Sequence, residues 1–327
     1  MSRAPKSLIS VIVPVYNEAL GLKNFHQSLL KILDTKLSNP YELIYCDDGS
    51  TDITPELVRS WHKTNPQVML LRLSRNFGKE SALSAGIAAA RGEAMMMLDG
   101  DGQHPVQAIP QFVDAWKQGA RVVIGIRRSN NHDSRFKLLS SRMFYGLFNK
   151  LSKQKMQPGS TDFRLIDKSV QKAFMALPET NRLTRGLIDW LGFKRVYIDY
   201  EAEPRKYGSA SYSKRKLFGL AVNGLVSLSP TPLYLSGYLG VVITFLSFLL
   251  GCAVLIEQLI LGDPLHWKFT GTAMLGILTL FLVGLVLISQ GVMSLYLSNI
   301  HGQSKRRPLY IVDYDESIGI DRSTSQN

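Results

Sequence analysis

The chain has 327 residues, 45% of them apolar and 20% charged, with a formal net charge of +12 and two cysteines. That length suits one large domain or two smaller ones, and the composition excludes both a small disulfide scaffold and a disordered polyelectrolyte. Residues 1–229 hold 33 Lys and Arg against 20 Asp and Glu, whereas residues 230–327 hold 5 against 6. A basic front part followed by an apolar one points to anionic lipid or anionic substrates, with nucleic acid as the rival.

The first apolar stretch, Leu8 to Val15, is short, contains Pro14 and lacks a small-residue cleavage site, so no secretory signal is expected and the chain is expected to begin in the cytoplasm. This stretch and residues 43–46 read as strands flanking an amphipathic helix that carries Leu22, Phe25, Leu29 and Ile32. A helix over 54–64, a strand over 68–73, a helix over 79–90, a strand over 94–98, a helix over 105–118 and a strand over 121–126 continue the alternation. The pattern predicts right-handed crossovers and an α/β fold built on a mostly parallel sheet. Ligands of such sheets bind beyond the carboxyl ends of the strands. Tyr16, Asn17 and Glu18, then Asp47 and Asp48, then Asp99, Asp101 and Gln103 all stand at such ends. No GxGxxG follows the first strand, so no dinucleotide turn is expected. Cys46 and Cys252 read as reduced packing residues.

Residues 127–155 contain eight Lys and Arg against Asp133 alone, interleaved with apolar residues. Such a segment fits an anionic membrane surface, and it equally fits a solvated helix packed on the sheet. Lys214, Arg215 and Lys216 then open a segment, 214–230, that reads as an interfacial helix ending at Pro230. Residues 217–256 and 269–300 contain no Asp, Glu, Lys, Arg or His, and two transmembrane helices are expected at about 233–261 and 270–298. Cations precede the first span, and Lys305, Arg306 and Arg307 follow the second, which places the large domain and the 301–327 tail in the cytoplasm. Gly276, Gly284 and Gly291 would let the second span pack closely in a homo-oligomer.

Asp99, Asp101 and Gln103 offer three oxygen donors at i, i+2 and i+4 past a strand, a pattern suited to a hard divalent cation beside a diphosphate. Taken alone, an Asp-x-Asp is more often a solvated turn, but its place after an apolar strand, with Gln103, His104 and Pro105 following, favours the ligand reading. Val13-Pro14-Val15-Tyr16-Asn17-Glu18, Asp47-Asp48-Gly49-Ser50-Thr51-Asp52, Arg75-Asn76-Phe77-Gly78-Lys79 and Asp99-Gly100-Asp101-Gly102-Gln103-His104-Pro105 stand in one order along the chain. In that order and spacing the chain resembles family 2 glycosyltransferases of the GT-A fold, and more narrowly the polyprenyl-phosphate glycosyltransferases, over about residues 8–217. The GT-A domain would occupy 1–213.

The resemblance implies transfer of a sugar, with inversion, from a nucleotide sugar such as UDP-glucose to a membrane polyprenyl phosphate, giving a lipid-linked sugar at the cytoplasmic face of a bacterial inner membrane. It implies that Pro14, Tyr16, Glu18, Asp48, Asp99 and Arg205 hold the nucleotide sugar, and that Asp99, Asp101 and Gln103 hold Mg²⁺ or Mn²⁺. Arg127 and Arg135 would bind the acceptor phosphate, and Asp162 would be the base or orienting carboxylate, in a polar turn 161–164 facing the sugar. A loop from Arg205 to Lys216 would close over the diphosphate, but Ala210 and Ser211 stand where the family usually has Ser and Lys. The alternatives are a processive polysaccharide synthase, whose Gln-x-x-Arg-Trp signature is missing near Trp190, and a non-catalytic nucleotide-binding membrane protein. No nucleic-acid recognition motif is present.

Overall fold

In the computed structural model, residues 7–128, 159–179, 182–201, 271–305 and 307–321, with isolated positions between 238 and 249, are described. Arg135, Arg205, Ala210, Ser211, Cys252, the expected interfacial helix 214–230 and most of the expected first span lie outside them.

The chain divides into two units, and the larger comprises Met1–Asn149, Gln154–Ser213 and Arg306–Asn327. Its framework is a seven-stranded sheet in the order β3-β2-β1-β4-β6-β5-β7. β1 (Ile9–Val15), β2 (Tyr41–Asp47), β3 (Val68–Arg72) and β4 (Ala94–Met97) run parallel. β6 (Ser160–Asp167) lies antiparallel between β4 and β5 (Val122–Arg127), and β7 (Arg195–Tyr200) closes the edge parallel to β5. The expected mostly parallel α/β sheet is therefore present, with one antiparallel strand inserted.

Both faces of the sheet are covered, which is why the central strands read as continuous apolar runs rather than alternating ones. One core gathers Ile9, Val11 and Val13 of β1 with Leu22, Phe25 and Leu29 of α1 (Ala19–Lys36), Val58 of α2 (Thr54–Thr64), and Phe112 and Trp116 of α4 (Ile109–Lys117). The other gathers Ile12, Ile44 and Met97 with Ala82, Leu83 and Ile87 of α3 (Lys79–Ala89), Val170 and Phe174 of α5 (Lys168–Met175), and Leu187 and Ile188 of α6 (Thr184–Trp190). α3 lies so close to the sheet that a Cβ on Gly86 would come within 2.5 Å of both Cys46 Sγ and Ile12 Cγ2. Cys46 is free and fully buried, as expected of a packing residue.

Two expected elements are corrected. The helix expected over 105–118 begins only at Ile109, after a single 3-10 turn Val106–Ala108. Pro110 has no N–H to donate and is accommodated in the first helical turn, which sets the start there. Residues 161–164 form no polar turn but belong to β6, where Arg164 pairs in register with Met97 and Ile124. Arg164–Ile166 pair with β4 and β5 at once, and Ser160 extends the strand along β5 alone, which overrides the polar composition of Ser160–Asp162.

In the second unit, α7 spans Gly271–Ser304, and within it Phe281–Ser298 is long and apolar enough to cross a membrane. Among the described residues it is the one such helix, with a mean hydropathy of 1.8 and none of that stretch buried.

Candidate active site

The site grows from the carboxyl ends of β1, β2 and β4. Pro14 pairs with Cys46 of β2, but the β1–β4 register stops at Ile12, so its missing N–H costs no bond on that side. Beyond β1 the chain turns sharply at Asn17, whose φ is 53°, in the left-handed region that asparagine tolerates. Asn17 then stitches two loops together. Its N–H donates to Ser50 Oγ at 2.9 Å, and its Oδ1 accepts the N–H groups of Thr51 at 2.9 Å and Asp52 at 3.3 Å. Glu18 and Ala19 add backbone donations to Thr54 Oγ1 and Asp52 Oδ2. Tyr16 projects from this turn, 43% exposed.

The two aspartates at the carboxyl end of β2, its last residue Asp47 and the following Asp48, fix the neighbouring turns. Asp48 accepts the Phe77 N–H at 2.7 Å and the Gly78 N–H at 2.9 Å, anchoring the turn that leads into α3. Asp47, fully buried, accepts the Ser50 N–H and pairs with Arg72 at 3.4 Å. Burial pushes both carboxyls above their usual range, partly offset by these donors.

At the end of β4, the Asp99 N–H donates to His104 Nδ1 at 3.0 Å. An imidazole nitrogen that accepts is unprotonated, in keeping with the burial that lowers the His104 pKa. The ring stacks on Phe163 with centroids 5.0 Å apart, which anchors the acidic turn to β6. Asp101 accepts the Gln103 N–H at 3.1 Å. With Glu18, Asn24, Ser28 and Gln107 it lines a cavity of about 140 Å³.

Lys79, the first residue of α3, connects these parts. Its Nζ lies 2.6 Å from Asp99 Oδ1 and 2.8 Å from Asp162 Oδ2. Burial opposes the ammonium charge, but the two carboxylates outweigh it and raise the lysine pKa. Asp162 shows the reciprocal balance. Burial works against its charge, yet Lys79, Arg185 and Arg164 bring its pKa down to about 2. Asp162 is thus an ionised carboxylate at neutral pH, in direct contact with the cation that also holds Asp99.

The rest of the 161–164 run is structural. Arg164 is 1% exposed and spans Asp189 Oδ1 at 2.9 Å, Ser160 Oγ at 2.6 Å and the Thr161 carbonyl at 2.9 Å. Thr161 Oγ1 donates to the Gly125 carbonyl and accepts from Tyr200 Oη. Arg127, at the end of β5, is exposed, and its backbone N–H donates to the Gly159 carbonyl at 2.9 Å.

The structure therefore brings Asp99 and Asp162 together through Lys79, and Asp101 together with Glu18 around one cavity. It ties Asp48 to the turn before α3. Lys79 and His104 carry no role in the sequence reading, although each stands within a motif quoted there, and Asn17, noted there only for its place at a strand end, proves to join the two loops. Helix-initial Lys79 lies 83 residues from Asp162, and no local pattern joins them.

The donor chemistry of Asp99, Asp101 and Gln103 suits a hard divalent cation. Asp101 faces a cavity, whereas one oxygen of Asp99 is engaged by Lys79. Among the described residues no group of three or more His, Cys, Asp and Glu side chains forms a ready ligand set.

Comparison with known proteins places the chain. The glycosyl transferase family 2 model matches residues 10–174. An uncharacterized glycosyltransferase of Synechocystis sp. is 37% identical over 304 residues, covering 93% of this chain and 94% of its own. The bactoprenol glucosyl transferase of Shigella phage SfV is 35% identical over 306 residues, covering 93% and 97%. Among solved structures, mannosyl-3-phosphoglycerate synthase from Rubrobacter xylanophilus is 16% identical over 68% of this chain and 73% of its own, with a TM-score of 0.49. The family match and the Synechocystis and phage relatives, covered over nearly their whole length, agree, and this chain is a glycosyltransferase belonging to glycosyl transferase family 2.

Proposed function

We propose that the protein transfers one sugar from a nucleotide sugar to the phosphate of a membrane polyprenyl phosphate, with inversion at the anomeric carbon. The observation that carries this is the Asp99–Lys79–Asp162 contact, an ionised carboxylate held beside the acidic turn at the strand ends. The bactoprenol glucosyl transferase name of a relative matched over nearly its whole length supports the acceptor, and Phe281–Ser298 supports a membrane location.

In the reaction a phosphate oxygen of the acceptor forms the bond to the anomeric carbon as the bond to the nucleoside diphosphate breaks. The acceptor is already ionised at neutral pH, so it needs positioning more than a strong base. Arg127 and Arg135 are assigned to that phosphate, because a guanidinium fork binds phosphate bidentately. Asp162 orients the reacting groups. Pro14, Tyr16, Glu18, Asp48, Asp99 and Arg205 are assigned to the nucleotide sugar, with Asp48 also shaping the pocket through Phe77 and Gly78. Asp99, Asp101 and Gln103 would hold Mg²⁺ or Mn²⁺, which supplies charge neutralisation on the departing diphosphate when bound. UDP-glucose is the proposed donor. The proposed setting is a multi-pass protein of the bacterial cytoplasmic membrane with its site on the cytoplasmic face, making lipid-linked sugar for cell-surface glycan.

The test supplies membranes containing the protein with labelled nucleotide sugar and polyprenyl phosphate. Organic-extractable label is expected from the native protein and is expected to be lost with Asp101→Ala. Undiminished product from that variant would remove the metal assignment, and insoluble polymer would favour a processive synthase.

A further inference from the structure

The chain beyond α7 returns to the catalytic sheet, and Arg306–Asn327 belongs to the same compact unit. The segment runs antiparallel to β3, with bridges between Leu70 and Ile318 and between Leu73 and Val312. Leu70 and Ile318 exchange backbone hydrogen bonds of 3.0 and 2.9 Å, and Ser74 N–H donates to the Ile311 carbonyl at 2.9 Å. β3 is the edge of the sheet, and covering such an edge needs only backbone bonds and apolar packing. Val312, Ile318 and Ile320 supply the packing.

Two tail side chains do something that edge covering does not require. Ser317 Oγ accepts the Arg72 N–H at 2.9 Å, and Glu316 Oε2 meets Arg72 Nη1 at 3.3 Å and also pairs with Arg59. The other nitrogens of the same guanidinium face the donor-side loop. Nε lies 3.4 Å from buried Asp47, and Nη2 donates to the Ser50 carbonyl at 3.2 Å. Ser50 in turn holds the Asn17 N–H, between Tyr16 and Glu18. One arginine thus links the tail to the loop that carries Asp48.

We propose that Glu316 and Ser317 are positioning residues for the Asp47–Ser50 loop, acting through Arg72, so that the C-terminal tail sets donor affinity. The link to donor affinity rests on the nucleotide reading of the crevice; the link to loop order does not.

The experiment uses full-length protein in detergent, native and Glu316→Gln, with Ser317→Ala as a second variant that removes only the bond to the Arg72 amide. Amide hydrogen exchange is measured at Gly49–Asp52 and across β4 and β6. UDP and GDP are titrated in the presence of Mn²⁺, and KM for nucleotide sugar and for acceptor lipid are compared with kcat. Faster exchange confined to the loop is expected, with a roughly two- to fivefold weaker binding of whichever nucleotide the native protein takes, as suits one partly exposed ion pair. The donor KM is expected to rise in step, with kcat and acceptor KM unchanged. Native exchange at the loop and unchanged nucleotide affinity in both variants would overturn the proposal, as would an equal loss toward both substrates. If the native protein binds neither nucleotide, the crevice reading fails and donor affinity falls with it, while the exchange data still decide whether the tail orders the loop.

Discussion

Lys79 Nζ lies 2.8 Å from Asp162 Oδ2 and 2.6 Å from Asp99 Oδ1, so one ammonium holds together a carboxylate of β6 and one from the turn after β4. Without it, Asp99 and Asp162 lose the cation they share, and Asp162 keeps only the more distant charges of Arg185 and Arg164. Lys79→Met is therefore expected to lower kcat by about a hundredfold, the scale seen when a positioned electrostatic group is removed from an active site. Initial-rate measurements on purified protein check this, and a variant with native kcat would show that the contact has no part in turnover.

Asp48 spends its carboxylate on two backbone donors, Phe77 and Gly78. Asp48→Asn keeps the shape but turns one acceptor oxygen into a donor facing an N–H. A loss of about 1–3 kcal/mol in unfolding free energy is expected, together with a raised donor KM. Chemical denaturation and donor saturation curves on one preparation measure both effects.

Gly86 admits no side chain, since Cys46 and Ile12 would both lie 2.5 Å from an added Cβ. Gly86→Ala gains helix propensity but forces α3 off the sheet, and a net destabilisation of about 1–3 kcal/mol is expected. The melting temperature of the variant checks this, and native or higher stability would show that α3 can shift freely.

Asp167 links α4, β6 and α5. It accepts from Trp116 Nε1 at 2.9 Å, from Arg121 Nη1 at 2.7 Å and, as the N-cap of α5, from the Ser169 N–H at 3.1 Å. Burial would raise its pKa, but the Ser169, Trp116 and Arg121 donors prevail and bring it to about 2 from an ordinary 3.8. A carboxyl depressed on folding stabilises the native state above its unfolded pKa and loses that contribution as pH falls toward its folded one. Native protein is thus expected to be more stable than Asp167→Asn by about 1–3 kcal/mol near neutrality, with the gap closing between pH 4 and 2. Urea unfolding across that range measures it.

Much of the front of the chain was legible because its signals are local. Apolar runs ending in acidic turns place β1, β2 and β4 and their loops, and helix 54–64 appears with those bounds as Thr54–Thr64. β6 is not legible, because Ser-Thr-Asp at its start reads as a turn, and only the pairing of Arg164–Ile166 with β4 and β5 on both sides makes the run a strand. Asp99 and Asp162 could be singled out from motifs, but their joining through Lys79 depends on the packing of α3 and β6 against the sheet. The tail was read as a cytoplasmic extension. Its contact with Arg72 spans 244 residues and leaves no trace in local composition.

The central claim is that the phosphate of a polyprenyl lipid accepts a single sugar. Mass spectrometry of the organic extract, after incubating the native membrane protein with polyprenyl phosphate and a panel of UDP- and GDP-sugars, tests it most directly. The expected result is a mass equal to polyprenyl phosphate plus one sugar residue from a single donor, lost with Lys79→Met. No lipid-linked sugar from any donor, under conditions where the native protein binds nucleotide, would contradict it.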